Sequence, residues 1–289
     1  RYDAVLAALD AEGAVPAGLR AALAVEAFRH TAAYDARIAE VLPERMAAEG
    51  VALPGEPGMP GAADPYPARL TVTLEKVETL RYGENPHQPA ARYRRPGATA
   101  ADGPFATGAA PLQGKALSYN NVLDGSAAAR IGRLLRGPAC VIVKHTNPCG
   151  AAERESLVAA WDDALAADPV SAFGGVVALT GPVDREVAER LASIFLEVVV
   201  APAFEPAALE VLARKQNLRL VVDAALGAGV PPVPPSPTGS LRSAGGAVLV
   251  TAPDAAPDDP AGWAVATRRA PTDAERRDLD LAWRLVRGV

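Results

Sequence analysis

Four short aliphatic runs, Val141–Val143, Gly175–Leu179, Val198–Ala201 and Leu218–Val222, alternate with helical patterns over Glu153–Ala167, Asp184–Phe195 and Ala207–Lys215. Buried strands separated by helices predict an α/β layer structure joined by parallel crossovers. In such a sheet ligands sit at the carboxyl ends of the strands, so attention falls on whatever follows Val143.

Upstream, Tyr2 to Ala48 reads as helices broken at Gly13–Pro16, with Ala21, Val25, Phe28 and Ala32 at helical spacing. Gly50–Pro67 has the Gly/Pro density of a linker and marks a domain boundary, and Gly227–Gly239 and Pro253–Gly262 are further Pro-rich runs. Thr272-Asp273-Ala274-Glu275 is a capping-box signature that opens a helix with Leu279, Ala282, Trp283 and Val286 on one face. An amphipathic helix reaching almost to Val289, with no closing element behind it, reads as a polypeptide cut short. Leu279, Trp283 and Val286 would then face water unless another segment covers them.

Composition narrows the partners. In 289 residues, 29 Lys plus Arg stand against 34 Asp plus Glu, a net charge of −5 that disfavours an electrostatic grip on nucleic acid or an anionic membrane. Cys140 and Cys149 are the only cysteines, too few for a disulfide framework and without the ligand cluster of a zinc site. With no apolar stretch of membrane-spanning length and no signal peptide at Arg1-Tyr2-Asp3, a reduced, cytoplasmic chain is expected. Only four lysines occur, Lys76, Lys115, Lys144 and Lys215, so a retained lysine hints at a need for a compact, titratable ammonium.

Lys144 and His145 stand where a buried strand gives way to the polar turn Thr146-Asn147-Pro148-Cys149-Gly150. Neighbouring cations lower each other's proton affinity, so either could act near neutral pH, the imidazole as base and the ammonium as proton donor or oxyanion partner. The plainer reading is a surface Lys-His pair at a strand end. Asp168 opens Asp168-Pro169-Val170-Ser171-Ala172-Phe173-Gly174-Gly175 and could orient a His or Lys, or simply start a turn. This Gly-Gly precedes a strand and lacks the spacing of a dinucleotide fingerprint. Leu80-Arg81-Tyr82-Gly83-Glu84-Asn85-Pro86-His87-Gln88 can grip phosphate through Arg81 and stack a ring on Tyr82, or form a decorated surface loop. Leu112 to Asn121 offers amides and hydroxyls to a polar heterocycle, or caps a helix over Asp124–Leu135, on which Arg130, Arg133 and Arg136 read as a solvated face.

Together, Arg81–Gln88, Leu117-Ser118-Tyr119-Asn120-Asn121, Val143–Gly150 and Asp168–Gly175 resemble the AICAR transformylase/IMP cyclohydrolase family of purine biosynthesis, a likeness that extends from the first helices to Trp283. The resemblance implies that residues 1–49, including Ala27–Asp35, are the closing helices of a cyclohydrolase domain whose nucleotide-binding and catalytic motifs would lie upstream of Arg1. Residues 50–67 would be a linker and 68–226 a first transformylase subdomain. A Pro-rich connection at 227–240 would lead to a truncated second subdomain at 241–289, where Leu241–Gly246 matches a family segment of structural role. The family's transformylase subdomains are cytidine-deaminase-like α/β folds without zinc, so no metal is expected.

Carried over by resemblance, Lys144 and His145 match the catalytic Lys-His pair, Asp168 an active-site aspartate, and Asn217 a catalytic asparagine. Arg81 and Tyr82 match the nucleotide phosphate and ring contacts, His87 shares their motif, and Asn121 matches an asparagine near the substrate carboxamide. The implied reaction is transfer of a formyl group from the co-substrate 10-formyltetrahydrofolate to the amine of AICAR, giving FAICAR and tetrahydrofolate, in a homodimer. His145 would be the base and Lys144 the oxyanion partner or proton donor, with Asn217 and Asp168 orienting the partners. Two readings compete: a folded binding or assembly piece without turnover, and a pyridoxal phosphate Schiff base at Lys144. The second lacks a phosphate-cradling glycine loop.

Overall fold

A computed structural model describes residues 1–51, 66, 70–108, 110–227, 240–252, 254 and 259–289. Most of the expected linker at 50–67, most of the Pro-rich connection at 227–240 and half of Pro253–Gly262 lie outside the described residues. The chain divides into two units, Arg1–Thr73 and Leu74–Val289. Among the described residues no helix is long and apolar enough to cross a membrane.

The first unit holds α1 (Tyr2–Glu12) and α2 (Ala17–Ala48). Gly13 ends α1 in a left-handed conformation at φ 67, its N–H donating to the Leu9 carbonyl, as a C-terminal glycine cap does. The helical periodicity is confirmed, but its face is not a core face: Val25 and Phe28 are exposed, and no described side chain of α1 or α2 is buried.

The second unit opens with the hairpin β1 (Glu75–Leu80) and β2 (Ala90–Arg94), the single turn α3 (Pro104–Thr107) and α4 (Tyr119–Gly132). Then come β3 (Ala139–Lys144), β4 (Asn147–Glu153), α5 (Leu157–Ala167), β5 (Gly175–Leu179), α6 (Arg185–Ala192), β6 (Leu196–Ala201), α7 (Pro206–Leu212) and β7 (Arg219–Val222). A second hairpin, β8 (Ser240–Ala244) and β9 (Ala247–Thr251), and α8 (Asp273–Arg287) follow.

The central sheet has the order β4-β3-β5-β6-β7. β3, β5, β6 and β7 are apolar on both faces, which is why they read as continuous aliphatic runs. Cys140, Ile142, Val177, Leu179, Val199 and Leu220 pack on one side with Trp161, Leu191 and Leu212 of α5, α6 and α7. Val141, Val143, Val176, Val198, Val200 and Val221 pack on the other with Ile131 of α4, and Leu281 and Leu285 of α8 join them. Each such fully buried side chain contributes about 1.5–3 kcal/mol relative to exposure.

The structure corrects the expected topology. In the central sheet β5, β6 and β7 run parallel, while β3 is antiparallel to both β4 and β5. The expected helix from Glu153 is a strand up to that residue, and α5 starts at Leu157 after Ser156, whose hydroxyl accepts from Ala159 N–H. Gly150 permits this, because a Cβ there would overlap the Ala164 carbonyl of the helix lying over β4. Likewise α4 starts five residues before Asp124, at Tyr119, under a capping box in which Ser118 and Asn121 exchange side-chain-to-backbone hydrogen bonds. Arg133 is not part of a solvated face: its side chain is 6% exposed and pairs with Asp223 at 2.9 Å. The Thr272–Glu275 capping box forms as expected, and Leu279, Trp283 and Val286 of α8 are exposed, Trp283 edge-on to Trp263 at 5.9 Å.

Candidate active site

Because β3 is antiparallel to β5, the end of β3 lies at the amino ends of the three parallel strands, not at their carboxyl ends. At that single edge the chain brings together Lys144 and His145, the Asp168–Gly174 turn before β5, Phe195 before β6, Asn217 before β7, and the first turns of α4. A cleft of about 320 Å³ opens there, lined by Phe195, Lys215 and Asn217 among others.

Lys144 is held by backbone: its Nζ donates to the carbonyl oxygens of Phe173 at 2.8 Å and Gly174 at 3.1 Å. An ammonium has three hydrogens, so one remains for a ligand. Gly174 sits at φ 69, and its N–H donates to the Phe195 carbonyl at 2.8 Å, tying the Lys144 anchor to β6. The Phe173 and Phe195 rings pack at 5.4 Å, both partly exposed beside the ammonium.

His145 and Thr146 form the two-residue turn between β3 and β4, flanked by the pair Lys144 and Asn147. Both have left-handed backbone, at φ 52 and φ 65, the only non-glycine residues so placed among the described residues. Thr146 N–H donates to Asp124 Oδ1 at 2.8 Å, and Asn147 Nδ2 donates to the His145 carbonyl at 2.9 Å. The His145 side chain is exposed.

Asp168 adopts its turn-starting role. Its carboxylate accepts from Ser171 N–H at 2.9 Å and from the Ser171 hydroxyl at 2.6 Å, and these bonds hold its pKa below the usual carboxylate range. Burial raises the Cys149 thiol, with Asp168 adding to the effect, and pushes fully buried Cys140 far above the usual range, so neither is a ready nucleophile.

Asn121 is buried: its Oδ1 accepts from Ser118 N–H at 3.1 Å and its Nδ2 donates to Glu197 at 3.0 Å. Glu197 also accepts from Arg219 at 3.1 Å, and the same Arg219 nitrogen donates to the Asn217 carbonyl at 3.2 Å. Asn121 and Asn217 are thus linked through one carboxylate and one guanidinium. Arg81, Tyr82 and His87 lie on the β1–β2 loop, with the Arg81 guanidinium 5.5 Å from the Tyr82 ring centroid. Among the described residues no hydrogen bond joins them to Lys144 or His145. The loop meets the edge through Asn120 Nδ2, 3.5 Å from the Glu84 carbonyl.

Asp124, Glu197 and Arg219 are the polar residues of this edge that the sequence reading passed over. Glu197 and Arg219 had a visible signal, as lone charges in aliphatic strands. Asp124 had none, being one polar residue among others on a helix. Among the described residues no group of three or more His, Cys, Asp or Glu is placed to hold a metal ion.

The AICARFT/IMPCHase bienzyme family description matches residues 1–289. Three curated relatives, each named bifunctional purine biosynthesis protein PurH, match all of this chain. That of Sorangium cellulosum (strain So ce56) is 47% identical, with 53% of its own length covered. Those of Desulfitobacterium hafniense (strain DSM 10664 / DCB-2) and Bacillus cereus (strain ATCC 10987 / NRS 248) are 44% and 41% identical, each with 52% covered. The chain therefore spans about half the length of the curated relatives it matches. Among solved structures, Acinetobacter baumannii RibD, form 1, overlaps 37% of this chain and 36% of its own at 17% identity and a TM-score of 0.28, too low to speak for a shared fold.

Proposed function

The chain belongs to the AICARFT/IMPCHase bienzyme family, and from that membership we propose that its sheet edge carries formyl transfer from 10-formyltetrahydrofolate to the amine of AICAR. The lone pair of that amine is delocalised into the imidazole and carboxamide. Attack on the formyl carbon therefore needs removal of an amine proton, support for the tetrahedral oxyanion, and a proton for the departing folate nitrogen. His145 takes the amine proton. Lys144, with one ammonium hydrogen beyond its two backbone acceptors, donates to the oxyanion as the carbon–nitrogen bond forms. The folate nitrogen then leaves with a proton supplied by the Lys144–His145 pair, giving FAICAR and tetrahydrofolate.

The observation that carries this reading is the Lys144 ammonium anchored on the Phe173 and Gly174 carbonyls, beside His145 and on the same edge as Asn217. Asn217 and Asp168 orient the reacting groups. Arg81 holds the nucleotide phosphate, and Tyr82 and His87 border its ring. Asn121, already engaged by Ser118 and Glu197, has one Nδ2 hydrogen left for the substrate carboxamide.

The division into cytidine-deaminase-like transformylase subdomains without zinc, preceded by helices of a cyclohydrolase domain over residues 1–49, is part of the same proposal, as are the homodimer and the cytoplasmic location. Formyl transfer by the protein carrying this chain, followed as tetrahydrofolate release with purified AICAR, tests it. Transfer lost in His145→Ala supports the assignment. Binding of AICAR without any turnover by the full-length protein would leave only a binding or assembly piece.

A further inference from the structure

We infer that Asp124 is a positioning residue for His145, acting through the hydrogen bond its Oδ1 accepts from Thr146 N–H. The inference rests on the reading of His145 as the proton acceptor.

Two-residue hairpin turns with both residues left-handed favour glycine and asparagine, because a Cβ at positive φ crowds the backbone. This chain follows that rule elsewhere: β8 and β9 are joined by Gly245-Gly246 at φ 55 and 91 between the pair Ala244 and Ala247. At the β3–β4 turn the same geometry is imposed on His145 and on Thr146, a β-branched residue for which φ 65 is unfavourable. Such backbone persists only where its surroundings hold it. Two bonds do so. Asn147 holds the His145 carbonyl at 2.9 Å from within the hairpin, and Asp124 holds the Thr146 amide at 2.8 Å from outside it.

Asp124 stands on a rigid support. It lies in α4 between the Ser118–Asn121 capping box and the buried Ala127 and Ala128, and Gly125 beside it lets the Phe105 ring pack directly on the helix backbone. A charge-assisted bond from this helix fixes the angle at which the turn, and with it the imidazole, leaves the sheet edge. Lys144 has its own anchor at Phe173 and Gly174, so loss of the Asp124 bond misplaces the base while sparing the ammonium.

The test uses the full-length protein carrying this chain, with kcat, the AICAR KM and amide hydrogen exchange at Thr146 as readouts. Asp124→Ala should lower kcat about tenfold or more, leave KM within about twofold, and speed Thr146 exchange. Asp124→Asn, whose Oδ1 still accepts, should keep most of kcat and the protection. Adding Thr146→Gly to Asp124→Ala should restore kcat, because glycine adopts the turn unaided. Parental kcat in Asp124→Ala, equal loss in Asp124→Asn, or no restoration by Thr146→Gly would each overturn the inference. If Asp124→Ala does not fold, Thr146 protection kept in Asp124→Asn supports the clamp and protection lost overturns it. A parent without formyl transfer defeats the proposed function instead, while Thr146 exchange still decides whether Asp124 holds the turn.

Discussion

Lys144 Nζ stands 2.8 Å from the carbonyl oxygen of Phe173, and the glycine that follows, Gly174, supplies its second acceptor. Gly174 is favoured over any other residue on two counts. Its φ of 69 disfavours any side chain, and a Cβ would lie 3.1 Å from Lys144 Nζ and 3.3 Å from the Phe195 ring. Gly174→Ala should therefore destabilise the fold by about 1–2 kcal/mol and lower kcat more than it raises the AICAR KM, because the ammonium is displaced. Denaturant melts and steady-state kinetics on one preparation check both parts. A variant with parental kcat would show that the anchor is dispensable.

His145 and Arg81 divide chemistry from binding. His145→Ala should lower kcat by roughly two orders of magnitude, the usual effect of losing a general base. Arg81→Ala, on a loop with no hydrogen bond to His145 among the described residues, should mainly raise the AICAR KM. Initial rates across AICAR concentrations separate the two effects, and an unchanged kcat in His145→Ala would remove it from the mechanism.

Asp168 gives a pH-dependent expectation. The Ser171 hydroxyl and N–H hold its carboxyl below the usual range. A carboxyl depressed by folding contributes stability above its ordinary pKa, and that contribution is lost as pH falls through the lowered value. Ser171→Ala removes the larger of the two bonds, so the midpoint of Asp168 should move up toward the ordinary carboxylate range. Carbon-detected NMR titration of the Asp168 carboxyl reads this directly; an unmoved midpoint would mean that Ser171 is not its cause.

Burial of the Arg133–Asp223 pair makes a stability prediction. Their side chains are 6% and 1% exposed and bond through two oxygens at 3.0 and 2.9 Å. Asp223→Ala takes the carboxylate from the buried Arg133 guanidinium and leaves it the Ala101 carbonyl at 3.5 Å, which should cost about 3–5 kcal/mol. Replacing both residues with apolar ones of similar volume should recover most of that loss. Equilibrium urea unfolding of the single and double variants measures both.

What was legible in the sequence follows from what local patterns encode. Val176–Leu179 and Val198–Ala201 announce themselves because both faces of their strands are buried. An apolar run carries no direction, however, so Val141–Val143 could not reveal that β3 runs against β5. Asn147–Glu153, with Pro148 and Gly150, looks like turn and helix start until α5 is seen packed on Gly150. Arg133 resembled its exposed neighbours Arg130 and Arg136 because its partner Asp223 is 90 residues away. At the site, Lys144 and His145 were visible as a polar break after a buried strand and through family likeness. Asp124 became visible only once α4 was set against the turn.

Glu197 is the joint between the two asparagines of the edge, and its removal is the most direct test of whether they work together. Its Oε2 accepts from Asn121 Nδ2 at 3.0 Å and from Arg219 at 3.1 Å, while Arg219 reaches the Asn217 carbonyl. The carboxylate is 38% exposed and Arg219 10%, so screening reduces the pair's worth to about 1 kcal/mol. Stability should thus change little, and positioning should change more. Glu197→Leu frees the Asn121 amide and leaves Arg219 with the Asn217 carbonyl as its remaining bond. Catalytic efficiency toward AICAR should fall about tenfold, equivalent to about 1.4 kcal/mol of transition-state stabilisation. Glu197→Gln keeps an acceptor for Asn121 but loses the charge facing Arg219, so it should fall between parent and Glu197→Leu. Asn217→Ala keeps the carbonyl that Arg219 holds and removes only the side chain that bond helps to place, so made on top of Glu197→Leu it should cost less than in the parent. Strict additivity in that double-mutant cycle would show that Glu197 does not place the Asn217 side chain.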